Sequence, residues 1–224
     1  PSVGGPSSTR KKTRMQLSFE ASERHRPLTP GIGIGLADAA AGFGTISCIV
    51  RRPNDSGRYI LSCAHVLGVN GANAVVFQPG ALAVDGSGEN SVANVLQSSR
   101  LTLGARHDVD AAIALIQGKI SALNLAPLVG RLRGISTNIY EGMPVSLYGA
   151  SSKFQSSIIR DLDYEGWVAN VDSNGRERNY WFEDVVRCDG VTNPGDSGAP
   201  VVSSESGELV GIHFAGSPYS SWFI

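Results

Sequence analysis

Ser197 sits in the run Asn193-Pro194-Gly195-Asp196-Ser197-Gly198-Ala199-Pro200, on a tight turn with glycine on either side. A serine hydroxyl is a poor nucleophile at neutral pH, so it needs a base, and the base needs a group that orients it. Two upstream segments supply these types. Ser62-Cys63-Ala64-His65-Val66 ends an apolar run in a histidine, and Asp108-Val109-Asp110-Ala111-Ala112-Ile113-Ala114 leads an acid directly into another apolar run. Gly, Asp and Ser are also the commonest turn residues. The weight therefore lies on three motifs in one order, His then Asp then Ser. A hydroxyl, an imidazole and a carboxylate brought together are the set for nucleophilic acyl transfer.

These motifs resemble those of the trypsin-like serine peptidases, whose chain order is the same and differs from that of subtilisins and α/β-hydrolases. The likeness runs from about Gly42 to Gly216. It is similar in detail to bacterial trypsin-like proteins through Leu61-Ser62-Cys63-Ala64-His65-Val66-Leu67, Gln78-Pro79-Gly80, Val109 to Ala114, and Gly142-Met143-Pro144-Val145. The resemblance implies an all-β protein of two six-stranded Greek-key β-barrels with the active site in the cleft between them. His65 and Asp110 would come from the first barrel and Ser197 from the second. The implied roles are nucleophile for Ser197, general base for His65 and orienting acid for Asp110. The backbone N–H groups of Gly195 and Ser197 would bind the oxyanion. Asp108 competes with Asp110, which is preferred because it directly precedes the apolar run; His107 reads as an exposed loop residue. No metal and no cofactor are implied.

The family likeness also marks a substrate pocket at Val191, Thr192, Pro194, His213, Phe214, Ala215 and Gly216. Val191 stands where trypsin carries its acid, which disfavours cleavage after Arg or Lys. Thr192 and the segment Gly211 to Gly216 look similar to the glutamyl endopeptidases, so a preference for Glu on the acyl side is expected, with a core-packing His213 as the rival reading. Phe214 through Gly216 should offer a strand edge to the substrate backbone. Asp196 in relatives pairs with a positive group, in trypsin a new N-terminal amine. Nothing here resembles that terminus, so an internal Arg or Lys, or a form awaiting activation, is expected. The rival class of function is a catalytically idle barrel that binds peptides or a partner protein.

Composition narrows the field around this site. The 224 residues are 42% hydrophobic with a net charge of −1, enough for one large core or two small ones and without the field that nucleic-acid binding asks for. No apolar run is long enough to cross a membrane. Three cysteines, Cys48, Cys63 and Cys188, cannot all pair within one chain. Cys48 and Cys63 could face each other on neighbouring strands; the plainer reading is three buried thiols in a reducing, cytoplasmic setting, with secretion as the alternative.

The elements that must carry the site read as short strands. Residues 1–30, with Arg10-Lys11-Lys12 and Arg14, are expected to form a mobile arm, 31–125 the first barrel and 126–224 the second. Gly31-Ile32-Gly33-Ile34-Gly35 has the wrong spacing for a dinucleotide loop and reads as a flexible entry. Phe43–Arg52 and Arg58–Val66 flank a turn at 53–57 and form a hairpin. Runs at 74–78, 92–97 and 110–117 complete the first barrel. Runs at 144–148, 157–162, 167–171, 180–187, 199–203 and 209–214 form the second, with 118–134 crossing between them. Asp172-Ser173-Asn174-Gly175 lacks the downstream acid of a calcium loop and reads as a hairpin turn. Only Ser217 to Ile224 follow Gly216, so the closing strand and helix that trypsin relatives carry are expected to be missing or supplied by another segment or a partner chain.

Overall fold

A computed structural model describes residues 23–36, 43–68, 71–80, 89–171, 176–190 and 192–224. The basic cluster at 10–14, the turn at 172–175 and Val191 lie outside the described residues. The first half carries β1 (Gly33–Leu36), β2 (Phe43–Thr45), β3 (Cys48–Val50), β4 (Tyr59–Ser62), a helical turn α1 (Ala64–Leu67), β5 (Val75–Phe77), β6 (Ser91–Ser98), β7 (Arg106–His107) and β8 (Ala112–Ile116). The second half carries β9 (Leu125–Ala126), β10 (Gly130–Arg131), β11 (Pro144–Gly149), β12 (Lys153–Val171), β13 (Glu177–Asp189), β14 (Pro200–Ser203), β15 (Leu209–Gly216) and β16 (Ser220–Phe223).

In the first sheet the strand order is β2-β1-β5-β6-β8-β4-β3. Its two ends are one bent run. Ile46 donates its N–H to Ile32 on one side and Ser47 donates to Leu61 on the other, which closes six strands into a barrel. Period-two patterning explains the closure: in β8, Ala112, Ala114 and Ile116 are buried while Leu115 between them faces out. The interior is filled by Ile34, Leu36, Ile60, Val76, Val92 and Val95. In the second sheet the order is β12-β11-β14-β15-β16-β13-β7, and an additional β12–β13 pairing closes it. Val145, Leu147, Ile159, Val186, Val201 and Phe223 fill that interior. Phe182, Val185 and Phe214 from the second half join the first half's core cluster, so the barrels pack as one body.

Several expectations need correction. The glycine-rich entry at 31–35 is largely strand: β1 is buried along its whole length, and Gly31, at φ 89°, lets Tyr148 pack where a side chain would stand. Of the arm expected over 1–30, residues 23–30 run against the first barrel. Leu28 is fully buried, and Gln78 donates to the Glu23 carbonyl and accepts the His25 N–H. That is what the Gln78-Pro79-Gly80 run does structurally. The second barrel is closed by the chain's own β16, which pairs with both β13 and β15. The runs at 157–162 and 167–171 are one strand, β12, because register shifts between Ile159 and Gly166 absorb the polar stretch without ending the ladder. Cys48, Cys63 and Cys188 are all free and buried. Among the described residues, no helix is long and apolar enough to cross a membrane.

Candidate active site

His65 lies just beyond the end of β4, not on it. After Ser62 the chain turns through α1, where Val66 and Leu67 donate to the Cys63 carbonyl and Gly68 to Ala64. A one-turn helix leaves its first N–H groups without intrahelical partners. One of these, the N–H of His65, donates to Asp110 Oδ1 at 3.1 Å, and His65 Nδ1 meets Asp110 Oδ2 at 2.5 Å. The carboxylate two residues ahead of β8 thus holds both the turn and the ring. Asp110 is fully buried against the ring, whereas Asp108 is exposed. Burial alone would raise the Asp110 carboxyl. The His65 ring beside it, the His65 N–H and the Asn170 amide together hold it below the usual carboxylate range. His107 is not an exposed loop residue. It is buried on β7, with its ring 5.9 Å from Tyr180 and 5.7 Å from Phe182.

Ser197 is carried on a turn fixed from both barrels. Thr45 of β2 donates its N–H to the Ser197 carbonyl at 2.7 Å and its hydroxyl to the Gly195 carbonyl at 2.8 Å. Gly198 donates to the His213 carbonyl at 2.7 Å. Gly198 has φ 94°, and a Cβ there would strike the Thr45 carbonyl and the Ser62 hydroxyl. The turn's glycines are thus required by conformation and by space.

Asp196 is fully buried, and no cation pairs with it among the described residues. The expected internal Arg or Lys is replaced by three backbone donors: Ser151 and Ser152 N–H on Oδ1, both at 2.9 Å, and Asn193 N–H on Oδ2 at 2.8 Å. A buried carboxylate needs such compensation, and several amide dipoles can supply it as well as an ion pair. The Ser151 hydroxyl also donates to the Pro194 carbonyl at 2.7 Å. The Pro194–Gly195 peptide is trans, so anchoring its carbonyl on Ser151 turns the Gly195 N–H the opposite way. Among the described residues no acceptor takes the N–H of Gly195 or of Ser197. Gly195 has φ 100°, and a Cβ there would meet the Ser151 hydroxyl and, at 2.7 Å, the Phe43 ring.

A cleft of about 320 Å³ opens between the barrels, lined by His65 and Ser197 together with Thr192, Pro194, Gly195, His213, Phe214, Ala215 and Gly216. The predicted site residues that are described thus fall in one place, apart from Asp110, which lies beneath His65. Phe43, Val66, Ala169, Asn170, Glu177 and Asn193 also line it and were missed from sequence. Nothing in the sequence around 169–177 signals a cleft, because β12 and β13 reach it only through tertiary pairing. His213 is 3% exposed, and burial pushes its ring down to about 4 despite the nearby Asp196 charge. Thr192 Oγ1 lies 3.1 Å from Ser221 Oγ, and Gly216 is packed so close to the Thr192 hydroxyl that a side chain there would displace it.

One group could in principle hold a cation: Cys63, His65 and Asp110 present ligand atoms within 4.8 Å of one another. The set is a poor fit. Burial and the Asp110 charge push the Cys63 thiol well up, so it stays protonated and donates to the His213 carbonyl at 3.2 Å, while His65 Nδ1 is engaged with Asp110.

Comparison with known proteins bears on the fold and the family. No curated protein sequence matches the chain. Among solved structures, Thermobifida fusca protease A is similar with TM-score 0.62 and 15% identity, covering 89% of this chain and 91% of that one. Nocardiopsis protease is similar with TM-score 0.62 and 13% identity, covering 89% and 92%. A glutamic-acid-specific serine protease is similar with TM-score 0.60 and 15% identity, covering 88% and 92%. At these identities the likeness establishes the double-barrel fold. Residues 46–212 match the family of trypsin-like peptidase domains, and the chain belongs to that family.

Proposed function

We propose that this chain is a serine endopeptidase working through His65, Asp110 and Ser197. The single observation that carries the reading is the buried His65–Asp110 pair at 2.5 Å opening onto the cleft that Ser197 shares. With Nδ1 engaged by Asp110, Nε2 is the ring nitrogen left to handle the reacting proton. Ser197 Oγ adds to the scissile carbonyl carbon while its proton passes to His65 Nε2. The tetrahedral adduct collapses, the C–N bond breaks, and the amine leaves with that proton. Water then repeats the sequence on the acyl ester and restores the hydroxyl. The N–H groups of Gly195 and Ser197 receive the oxyanion, a contribution typically of about 3 kcal/mol per donor.

The primary pocket is assigned to an acidic acyl-side residue, chiefly Glu. Thr192 and His213 on the cleft wall support this, and one structural relative is a glutamic-acid-specific protease that uses a histidine triad in substrate binding. A neutral, buried His213 would take up a proton as a carboxylate entered, because an adjacent negative charge favours imidazolium. Three buried thiols fit a reducing compartment.

Fluorophosphonate labelling of the intact chain tests the reaction class. Labelling is expected, with loss of it and a drop of about 10⁴-fold or more in turnover in Ser197→Ala; an unlabelled intact chain would return the protein to the class of binding modules. A fluorogenic library varied at the acyl-side residue tests the pocket, and efficient cleavage after Leu or Arg with none after Glu would refute the assignment.

A further inference from the structure

We infer that Asn170 is a positioning residue for the His65–Asp110 pair, delivered across the barrel interface by the β12–β13 hairpin. Asp110 accepts three hydrogen bonds. Two come from His65 itself, through its N–H and its ring, and the third comes from Asn170 Nδ2 at 2.9 Å on Oδ2. Donors on His65 fix the carboxylate to the ring but leave the pair free to shift, as a unit, against the half that carries Ser197. Among these three donors, only the amide of Asn170 comes from that half.

The hairpin is built to make this reach. β12 starts beside Ser151 and Ser152, which clasp Asp196, and runs without a break to Asn170. One continuous strand thus connects the oxyanion turn with the triad acid. Its partner β13 takes in a strand from the first half of the chain: Trp181 and Phe182 pair in parallel with Arg106 and His107 of β7, and Arg106 bonds Glu183 at 2.9 Å. Asn170 is itself 7% exposed, so its amide is held by packing and is not shared with bulk solvent. Ala169 and Glu177 on the same hairpin line the cleft, so a bound peptide touches the strand that steadies Asp110.

The charged and titratable groups around the pair and Asn170 include the Cys63 thiol, His213 on β15, Asp196 on the oxyanion turn, Glu177 on β13 and Arg178, the register partner of Asn170 on β13. Removing the amide takes away one of the donors that hold the Asp110 carboxyl low and leaves the carboxylate less firmly placed beside the ring.

The inference draws on the peptidase reading only for its kinetic readout, so the test pairs kinetics with a measurement that needs no turnover. Asn170→Ala is compared with Val168→Ala, a buried neighbour on β12 whose apolar side chain offers Asp110 no hydrogen bond. In Asn170→Ala, the proton between His65 Nδ1 and Asp110 Oδ2, read by proton NMR at low field, is expected to shift and to broaden through faster exchange. kcat is expected to fall roughly tenfold with KM nearly unchanged. Val168→Ala should lower the melting temperature and leave both signatures in place. An Asn170→Ala protein that loses stability like Val168→Ala, but keeps the wild-type low-field resonance, would overturn the inference. If that resonance moves in a wild-type background that hydrolyses nothing, the positioning role stands and the peptidase reading falls.

Discussion

The Asp196 contacts lead to a sharp prediction, because a buried carboxylate with three amide donors and no cation among the described residues has an unusual failure mode. Asp196→Asn is nearly isosteric. Its side-chain oxygen can keep the Ser151 and Ser152 N–H groups, but its NH₂ then faces the Asn193 N–H, donor against donor. The variant loses one charge-assisted bond, weakens two others and leaves a buried donor unsatisfied. Such terms run at about 1–3 kcal/mol each, so a destabilisation of roughly 3–5 kcal/mol confined to the turn at 193–197 is expected. If the turn loosens, the Gly195 N–H is no longer held in place by the Ser151–Pro194 contact, and kcat should fall by about 10²–10³. The assay is denaturant melting alongside acylation rates on a chromogenic ester. A second arm uses the intact protein carrying an added N-terminal extension. With Asp196 satisfied internally, the extension should leave the acylation rate unchanged. Wild-type acylation in Asp196→Asn, or activity that appears only after the extension is cleaved away, would refute the reasoning.

Two further outcomes follow from the same contacts. His213 protonates near 4 when folded and at about 6.5 when unfolded, so the unfolded chain takes up the proton first. Its contribution is complete above about pH 6.5 and is lost as pH falls towards 4. It is worth about 3 kcal/mol, and His213→Gln should flatten the melting curve over that window, an outcome that equal slopes in both proteins would contradict. Asp110, held low when folded, acts in a separate window that opens only below about pH 4, so the two are resolvable. Gly198→Ala should cost about 2–4 kcal/mol, combining left-handed strain with a collision against the Thr45 carbonyl, while Gly104→Ala, with φ 81° and open space, should cost only about 1–2 kcal/mol; similar melting temperatures for the two would remove the packing argument.

Much of the fold was legible because its strands are half-buried and alternate. β8 and β11 announce themselves by patterning, and the turn at 53–57 separates β3 from β4 as expected. The failures share a cause. β1 carries Gly33 and Gly35 and follows Gly31, where Tyr148 takes the place of a side chain, so local propensity reads the stretch as a loop. β16 is four residues long and exists as a strand only because β13 and β15 leave a gap that it fills. α1 interrupts an apolar run that looks extended, since the Asp110 carboxylate rewards the turn from 45 positions away. In each case a distant partner overrides the local preference.

The site divides along the same line. The proposed nucleophile, base and acid are legible because the proposed chemistry asks for one residue type at each place, and glycines 195 and 198 because each has a positive φ. What steadies those groups leaves no such trace. Backbone N–H groups can satisfy Asp196 whatever residues carry them, so Ser151 and Ser152 could not have been found by type. Asn170 reaches Asp110 across 60 positions, from a strand whose own pattern says only that alternate residues are buried. Chemistry in this protein is written in side chains, but alignment is written in topology. The two halves meet where β2 grips the Ser197 turn and β12 grips the Asp110 carboxylate. Each barrel thus holds the reactive group of the other, so relative motion of the halves must strain one grip or the other before the hydroxyl and the imidazole can part.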